Sequence, residues 1–323
     1  VVAPISITIT VVICTLHNVE GLEKCINCIT QQEVKPKEVI IVHGDIDNKL
    51  EESVNRIICP ILQSNLISLK YLKTIRSLVM QRNIGIDNAC GDVIVFLDDD
   101  VILEKDYFYH LMEAYQSKWS ESLGGVQGTI IQNDRAKKFM NSKEILKQIF
   151  LLGGDSGRGK LLPSVKPSFL INTKEIQKVD IFNGCMMSFR RNVLVNNRFD
   201  TNLKEFWVLD DIELSYRISR KYELYQAPQA RLYHVSSTPN YEGLKKIACM
   251  SLFNRLYVFR LYFSDSRTNW ILFFWSNIGE LLYMTFMSIK KGSIGPISGF
   301  FEGCKLIFKS KGYPYRKIIK RGE

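Results

Sequence analysis

The sequence predicts an α/β fold with a mostly parallel, doubly wound sheet, followed by a helical extension at the C-terminus. Over roughly the first third of the chain, short runs rich in β-branched residues alternate with segments whose apolar residues recur at helical spacing. This alternation is typical of parallel strands joined by crossover helices. Beyond residue 238 the strand-like runs end and long apolar helical segments follow. We therefore expect a sheet domain over residues 1–238 and a helical extension over residues 239–323.

The first part of the chain supplies four strands and four helices by this pattern. The predicted strands are Ile5–Thr15, Glu38–Val42, Ile67–Leu72 and Val93–Leu97. The predicted helices are Glu20–Gln32, Asn48–Gln63, Val79–Cys90 and Asp106–Ser117. Pro60 lies inside the second helix, and we expect it to interrupt that helix because proline removes a backbone donor.

The remainder of the chain has shorter strands and then long helices. Strands are expected at Leu123–Gln132, Ile181–Phe189, Leu224–Pro228 and Arg231–Val235. Helices are expected at Phe139–Leu152, Val208–Arg220 and Tyr241–Phe263, followed by the apolar runs Trp270–Ile289 and Ile297–Lys309.

The composition is that of a folded protein with a sizeable core, since 46% of the 323 residues are hydrophobic and 24% are charged. The formal net charge of +10 favours anionic partners, namely nucleic acid, phosphorylated small molecules or an acidic membrane. Much of the excess lies from Lys305 onward, where seven residues are basic and one is acidic. The eight cysteines are scattered, many of them within apolar runs, which indicates reduced thiols in a cytosolic compartment.

Three consecutive carboxylates, Asp98, Asp99 and Asp100, directly follow the apolar strand Val93–Leu97. Carboxylates at the end of a buried strand are costly unless positive charge lies beside them, and a divalent cation with bound phosphates supplies it. The triplet therefore suggests a metal–phosphate site. The alternative is a solvated acidic turn, with Asp106 capping the next helix.

In an open α/β sheet, ligands bind just outside the carboxyl ends of the strands. Three polar segments follow the predicted parallel strands, at 15–18, 43–45 and 98–100, so we expect them to lie near one another. A second acidic pair, Asp210 and Asp211, begins the helix Val208–Arg220. Acidic residues there also suit the helix dipole, so a capping role is the alternative to a chemical one.

The C-terminal run Trp270–Ile289 carries a single charge, Glu280. Its length would permit a membrane span, although several polar residues weaken that interpretation. Aromatic residues with flanking lysines favour a helix that lies in the interface of an anionic membrane. A soluble helical hairpin packed on the core and a true span are the alternatives. We expect a peripheral or monotopic protein at the cytoplasmic face of the cell membrane.

Several motifs together resemble a known family. The segments Gln81–Gly85, Ala89–Asp92 and Phe96–Asp100 resemble the hallmark "RN.G...A.G....FLDDD" of the GT-A-fold inverting glycosyltransferases of family 2. Further segments match in the correct order: Ile13–Asn18, Phe182–Arg191, Asp210–Arg217 and His234. The resemblance covers residues from about 7 to 260. Several motifs in the correct order are more specific than any one of them.

The resemblance implies a GT-A sheet and a hexosyltransferase-type activity. A sugar would move from a nucleotide-diphosphate sugar, with UDP-sugars favoured, to a glycan or a lipid-linked acceptor. The implied cofactor is Mg²⁺ or Mn²⁺, which as a Lewis acid stabilises the departing diphosphate. The anionic membrane surface would be a further partner through the C-terminal region, and nucleic acid would not be a partner.

The resemblance also implies roles for individual residues. The metal ligands would be Asp98, Asp100 and His234. The donor contacts would be Thr15, Asn18, Arg82, Asp98 and Asp99, with Asp45, Asn83, Gly184 and Arg217 as further substrate-binding residues. Asp211 matches the general base that takes the proton of the acceptor hydroxyl, and Asp210 is the second choice.

One departure from the family concerns the end of the second strand, where the family has an aspartate that binds the uracil or the ribose. His43 stands at that position here, and Asp45, two residues later, is the candidate to substitute for the missing acid. This departure leaves GDP and dTDP donors open beside UDP.

Three other function classes compete with this interpretation. A nucleotidyltransferase uses a similar sheet and metal but prefers a glycine-rich, lysine-bearing loop after the first strand, which Thr15–Gly21 lacks. A non-catalytic sugar- or membrane-binding module does not require the intact acidic residues. A nucleic-acid binder is least favoured, because the basic tail adjoins an apolar hairpin.

Overall fold

The structure is a computed structural model that describes residues 7–45, 49–131, 142–154, 157–170, 173–203, 209–235 and 241–309. Three predicted features lie outside these residues: the domain boundary at residue 238, the first part of the helix predicted from Phe139, and the basic tail beyond residue 309.

The helices and strands are numbered in chain order. The first half contains β1 (Ile9–Thr15), α1 (Val19–Thr30), β2 (Glu38–His43), α2 (Lys49–Ser53), a π-helical turn (Val54–Ile58), α3 (Cys59–Ser64), β3 (Ser68–Lys73), α4 (Leu78–Asn88), β4 (Val93–Asp98), β5 (Val101–Leu103), α5 (Tyr107–Lys118), β6 (Leu123–Ile130) and α6 (Ser142–Ile149). The second half contains β7 (Lys160–Leu161), β8 (Pro167–Ser168), β9 (Gln177–Val179), β10 (Met187–Arg190), α7 (Arg191–Val195), α8 (Asp210–Ser219), β11 (Glu223–His234), α9 (Tyr241–Tyr262), α10 (Arg267–Lys291) and α11 (Gly295–Lys309).

The chain divides into two compact units. The sheet unit comprises Val1–Asn133, Leu170–Lys204 and Asp210–Ser236, and the helical unit comprises Asp134–Phe169, Glu205–Leu209 and Ser237–Glu323. The helical unit thus includes residues 134–169, which the sequence analysis assigned to the first domain. The boundary at residue 238 stays a prediction.

Within its described residues, the sheet unit contains a nine-stranded sheet in the order β3-β2-β1-β4-β10-β6-β11-β5, with β9 paired to β11. Strands β3, β2, β1 and β4 are parallel neighbours. β10 runs antiparallel between β4 and β6, and β6 is parallel to β11. The predicted mostly parallel α/β sheet is therefore confirmed, and the carboxyl ends of β1, β2 and β4 lie side by side at one edge.

The strands of the parallel half are apolar because both of their faces are buried. Every residue of β2 is buried, and so are the five apolar residues of β4 before Asp98. Helix α1 covers one face with Leu22, Cys25, Ile26 and Ile29, whose three- and four-residue spacing places them on one stripe. Cys25 and Cys28 thus belong to a packed helix.

Two elements differ from the sequence predictions for backbone reasons. Pro60 does not interrupt the helical segment, because it lies in the first turn of α3, where its missing N–H is not needed. The two strands predicted at Leu224–Pro228 and Arg231–Val235 form the single strand β11. Its register with β6 shifts between Gln226 and Arg231, the stretch that contains Pro228, which cannot donate to the ladder.

The helical unit is organised around helices α9, α10 and α11. Gly299 and Gly303 of α11 lie so close to the α9 backbone carbonyls of Lys245 and Cys249 that a β-carbon would meet them. Glycine therefore allows the two helices to approach closely. None of the helices in the described part of the chain combines the length and apolar character needed to cross a bilayer.

The buried carboxylate of Glu38, on β2, joins its own strand to three further segments at the amino edge of the sheet. It accepts hydrogen bonds from Thr10 Oγ1 and from the Cys90 backbone N–H, each at 2.7 Å. Its second oxygen lies 2.7 Å from Lys70 Nζ. Burial raises the pKa of Glu38, but these bonds outweigh that effect and lower it to about 2. The ionised side chain is therefore a stabilising link between β1, β2, β3 and the end of α4.

We predict that Glu38→Gln lowers the free energy of unfolding at neutral pH by about 2 kcal/mol, because it removes charge-assisted hydrogen bonds. The folded pKa lies below the unfolded one of about 4.3, so this stabilisation is present above the unfolded pKa and is lost as the pH falls toward 2. Urea denaturation of both proteins across this pH range measures the difference.

The matched control is Glu20→Gln, which removes an exposed carboxylate whose partner is Lys24 of the same helix. That variant is expected to leave the free energy of unfolding essentially unchanged, because solvent screens an exposed ion pair. Equal losses in the two variants, or a loss in Glu38→Gln that does not shrink in acid, would contradict the role assigned to Glu38.

Candidate active site

Strands β4 and β11 bring three possible metal ligands together at the carboxyl edge of the sheet. Asp98 is the last residue of β4, Asp100 lies in the turn that follows, and His234 ends β11 opposite Val101 of β5. His234 Nε2 lies 3.1 Å from Asp100 Oδ1 and 3.8 Å from Asp98 Oδ2. One ligand atom from each side chain lies within 4.8 Å of the others, so this group could hold a metal ion.

The electrostatics of this group fit a cation. Burial is the main cause of a raised pKa at Asp98, and the neighbouring carboxylates add to it. The bond to Asp100 raises the pKa of His234. The His234 shift reflects the carboxylates beside it, whose negative charge a divalent ion would offset. Carboxylates are ligands that Mg²⁺ and Mn²⁺ sites use, and the imidazole suits a transition-metal ion better than Mg²⁺, so the residues fit a divalent metal ion.

The middle carboxylate, Asp99, is held by the end of β1 and the start of α1. Thr15 Oγ1 donates to its Oδ2 at 2.5 Å, and Asn18 Nδ2 donates to its Oδ1 at 3.1 Å. The Asn18 side chain also accepts a hydrogen bond from Gly21 N at 3.0 Å and so caps α1. The predicted proximity of segments 15–18 and 98–100 is therefore confirmed.

The third polar segment of this edge, at the end of β2, lies next to the end of β1. His17 Nε2 and Asp45 Oδ2 are 3.6 Å apart, and both side chains are well exposed. His43 is fully buried, and its Nδ1 lies 3.0 Å from the hydroxyl of Tyr71 on β3. The residue at the position where an acid was expected is thus packed into the sheet, and Asp45 is the carboxylate that is accessible there.

Arg82 of α4 lies buried beneath these residues, with only 4% of its surface exposed. Its Nη1 donates to Asp210 Oδ2 at 2.5 Å, and its Nη2 donates to the Gly184 carbonyl at 3.3 Å. The same nitrogen lies 3.8 Å from Asp98 Oδ1. The guanidinium also lies over the ring of Phe199, at 5.3 Å from its centre. Arg82 therefore connects the metal-ligand group to the start of α8.

Asp211, in the first turn of α8, is held by two backbone donors. Gly184 N donates to its Oδ2 at 2.7 Å, and its own neighbour Ile212 N donates to its Oδ1 at 2.9 Å. Burial and the charge of Asp210 raise the pKa of Asp211 to about 6, while Arg82 opposes that rise. A carboxylate with a pKa close to the working pH is suited to accept a proton. A β-carbon on Gly184 would lie 2.9 Å from Arg82 Nη2 and 3.0 Å from Asp211 Oδ2, so any other residue there would displace these side chains.

Two predicted substrate contacts use their side chains on the protein itself. Asn83 donates to the Phe199 carbonyl and accepts from the Phe199 N–H, both at 3.0 Å. Arg217 forms hydrogen bonds with Glu213 on its own helix and with the Arg198 carbonyl. Their roles in substrate binding stay predictions. Asp106, the alternative cap of α5, makes no capping hydrogen bond through its side chain.

Two residues that position the site were not identified from the sequence. Gln81 is buried, and its Nε2 donates to the carbonyls of Thr15 and Val42 at the ends of β1 and β2. Phe199 supports Arg82 and packs edge-on against Phe96 of β4. The only signal for Gln81 is its place beside Arg82, and a single phenylalanine in an irregular segment carries none.

The comparisons with known proteins agree with this geometry. A family model described as glycosyl transferase family 2 matches residues 10–197. The chain is 24% identical over 200 residues to the glucosyl-dolichyl phosphate glucuronosyltransferase of Haloferax volcanii, with 60% of this chain and 56% of that protein covered. It is 25% identical over 225 residues to the poly-β-1,6-N-acetyl-D-glucosamine synthase of Staphylococcus aureus, with 69% and 48% covered. The chain thus spans about half the length of these curated relatives.

Two solved structures share the fold. GalNAc-T7 with UDP, GalNAc and Mn²⁺ superposes with a TM-score of 0.55 at 18% identity, covering 73% of this chain and 46% of its own. The mannosyltransferase PcManGT from Pyrobaculum calidifontis, in complex with GDP-Man and Mn²⁺, gives 0.54 at 16% identity, covering 97% and 83%. These likenesses confirm the predicted GT-A arrangement of the sheet. From the match of its sequence over β1 to α7, the chain belongs to glycosyl transferase family 2.

Proposed function

We propose that this chain is a metal-dependent inverting glycosyltransferase that moves a sugar from a nucleotide-diphosphate sugar to a glycan or lipid-linked acceptor. The observation that carries the proposal is the arrangement of Asp98, Asp100 and His234 at the same edge as Asp211, with Arg82 between them. A cation site suits the diphosphate of a donor, and a raised-pKa carboxylate suits the deprotonation of an acceptor. Departure of the diphosphate and deprotonation of the acceptor would thus be carried out by different residues.

Asp98, Asp100 and His234 would hold the ion, Mg²⁺ or Mn²⁺. The bound ion would act as a Lewis acid that stabilises the negative charge of the leaving diphosphate. Support comes from the acidic surplus of the group and from the two solved relatives of the fold, both of which contain Mn²⁺.

The nucleoside of the donor would lie across the neighbouring ends of β1 and β2, since the sheet order places them beside β4. We assign Thr15, Asn18 and Asp99 to this donor side, with Asp45 as its accessible carboxylate. UDP is the favoured nucleotide. The buried His43 keeps GDP as an alternative, and the structural relatives bind UDP in one case and GDP-Man in the other.

Asp211 would take the proton of the acceptor hydroxyl as that oxygen attacks the anomeric carbon. The bond from that carbon to the diphosphate breaks on the opposite side, so the configuration inverts and the diphosphate leaves with the electron pair. Gly184 N and Ile212 N orient the Asp211 carboxylate. Asp210, with 2% of its surface exposed and bound to Arg82, is placed to position the base rather than to replace it. Arg82 is assigned the same positioning role, in place of the donor contact expected from the sequence.

The acceptor class is supported by the names of the relatives, one of which acts on a dolichyl phosphate sugar and the other of which builds a polysaccharide. A lipid-linked or growing glycan would be met at the cytoplasmic face of the membrane, through the C-terminal helices of the chain. The nucleotidyltransferase alternative has less support, because the family match covers glycosyltransferases and the loop after β1 has no lysine.

A screen of nucleotide-sugar hydrolysis in the presence of Mn²⁺ tests the donor half of the proposal, because slow hydrolysis needs no acceptor. We predict Mn²⁺-dependent release of UDP from at least one UDP-sugar. We also predict that Asp100→Asn weakens Mn²⁺-dependent UDP binding, measured by calorimetry, at least tenfold, because a metal ligand is lost.

The control for Asp100→Asn is Asp106→Asn, which alters a nearby carboxylate that pairs with His110 on the surface of α5. It is expected to bind UDP and Mn²⁺ as the unaltered chain does. Hydrolysis without added metal after chelation, or unchanged affinity in Asp100→Asn, would contradict the assigned metal site.

We predict that Asp211→Asn lowers the transfer rate by about 10²–10⁴-fold while donor binding is kept, because it removes the proton acceptor. The variant is not expected to lower the melting temperature at neutral pH. The folded pKa of Asp211 is raised to about 6 from its ordinary value of 3.8, so the stability linked to this group is fully present below 3.8 and is lost as the pH rises through 6. Transfer assays, UDP calorimetry and thermal unfolding measure the three properties.

The control on the same helix is Glu213→Gln, which replaces a buried carboxylate that pairs with Arg217. Folded Glu213→Gln is expected to transfer sugar at near the normal rate. Near-normal transfer by Asp211→Asn would remove Asp211 as the base.

A further inference from the structure

Helix α10 presents an apolar face to solvent. Its exposed side chains between residues 271 and 289 are all hydrophobic: Ile271, Phe274, Trp275, Ile278, Leu282, Phe286 and Ile289. They recur at three- and four-residue intervals, so they form one stripe along the helix, here called the α10 apolar face. Ile271 and Ile289, near its two ends, have exposed fractions of 68% and 78%. Contiguous apolar patches on a protein surface mark interaction sites.

The opposite side of α10 is polar and buried, which inverts the usual pattern of a surface helix. Glu280 is 6% exposed and forms an ion pair with Arg255 of α9. Lys166 Nζ lies 2.7 Å from the other Glu280 oxygen, and Ser276 accepts from Arg255 at 2.8 Å. The charge in the middle of this helix, Glu280, is thus paired inside the helical unit, whereas the exposed side chains from 271 to 289 are hydrophobic. Water does not favour this arrangement, whereas an apolar surrounding does.

Basic residues accompany the α10 apolar face. Arg267 begins α10, and Lys305 and Lys309 are exposed on α11 beside the exposed Phe301 and Phe308. From residue 290 to the end of the sequence, nine residues are basic and two are acidic. A surface that combines aromatic and branched apolar residues with lysines and arginines matches an anionic lipid interface.

We propose that the α10 apolar face lies in the interfacial region of an anionic lipid bilayer, with the helix parallel to the membrane plane. From Ile271 to Ile289 the stripe extends for about 27 Å at about 1.5 Å per residue. A parallel orientation follows because Glu280 and its partners occupy the other side of the helix, so only one side of α10 can meet lipid. Only the role of this membrane contact rests on the proposed function: it would bring the chain to a lipid-linked acceptor.

A second copy of the chain is the competing occupant of this face. Two copies packed through this face would bring the basic residues of their C-terminal helices closer together, and like charges oppose such an approach. The anionic membrane removes that repulsion and turns the same charges into an attraction.

The test is cosedimentation of the full chain with vesicles of phosphatidylcholine alone or with one part phosphatidylglycerol to three parts phosphatidylcholine. The face variant carries Ile271→Gln, Phe274→Gln and Ile278→Gln. The matched control carries Leu66→Gln, Tyr109→Gln and Val195→Gln, which are exposed hydrophobic residues of the sheet unit. The unaltered chain and the control are expected to bind the anionic vesicles. The face variant is expected to bind them about tenfold or more weakly, because its buried apolar area is lost.

Circular dichroism and nucleotide-sugar hydrolysis in vesicle-free buffer separate this inference from the proposed function. Unchanged hydrolysis with lost vesicle binding supports the membrane role of α10, and lost hydrolysis of every donor with vesicle binding kept overturns the proposed function alone. If the face variant fails to fold, Lys305→Gln with Lys309→Gln replaces it, and weaker, less salt-sensitive binding to anionic vesicles is expected.

Three results would overturn the inference. The first is failure of the unaltered chain to bind anionic vesicles, and the second is binding by the face variant equal to that of the control. The third is light scattering that gives a dimer for the unaltered chain and a monomer for the face variant, with vesicle binding the same in both.

Discussion

The buried guanidinium of Arg82 is the interaction on which the candidate site depends. A cation with 4% of its surface exposed is stable only when it is paired, and the available partners are Asp210, Asp98 and the Gly184 carbonyl. Satisfying this one charge fixes α8 and the irregular segment before β10 against the end of β4. Asp211 and Gly184 then form their hydrogen bond as a consequence of that placement. The placement of Asp211 relative to Asp98 therefore depends on the pairing of Arg82.

The positions of site residues can be predicted from the sequence where they follow from the order of the parallel strands. Buried parallel strands are recognisable because both of their faces need apolar residues, and polar side chains that follow them must meet at one edge. Thr15 and Asn18 are therefore expected beside Asp99, and their hydrogen bonds to Asp99 confirm that proximity. The same strand pattern also indicates Asp98 and Asp100 as potential ligands. The grouping of His234 with them came from the family resemblance, since its strand is far along the chain and antiparallel to β5.

Other features could not be predicted, because they arise from contacts between distant segments. Arg82 and Asp210 are 128 positions apart, and no local pattern indicates that the arginine turns inward to the acidic helix. The strand predicted over Ile181–Phe189 begins only at Met187. The backbone of Gly184 is bonded to side chains instead of a neighbouring strand: its carbonyl accepts from Arg82 and its N–H donates to Asp211. In α10 several polar residues, Glu280 among them, weaken the interpretation as a membrane span, and Glu280 pairs inward with Arg255 while the exposed side chains from 271 to 289 are hydrophobic.

The central claim is that Asp211 removes a proton while the acceptor attacks the donor directly, in a single displacement. The configuration of the product tests it most directly, and proton NMR of the first glycoside formed from an α-linked nucleotide sugar measures that configuration. The account predicts a β-linked product, because a single displacement inverts the anomeric carbon. An α-linked product would contradict it, since retention requires a different arrangement of catalytic groups around the donor.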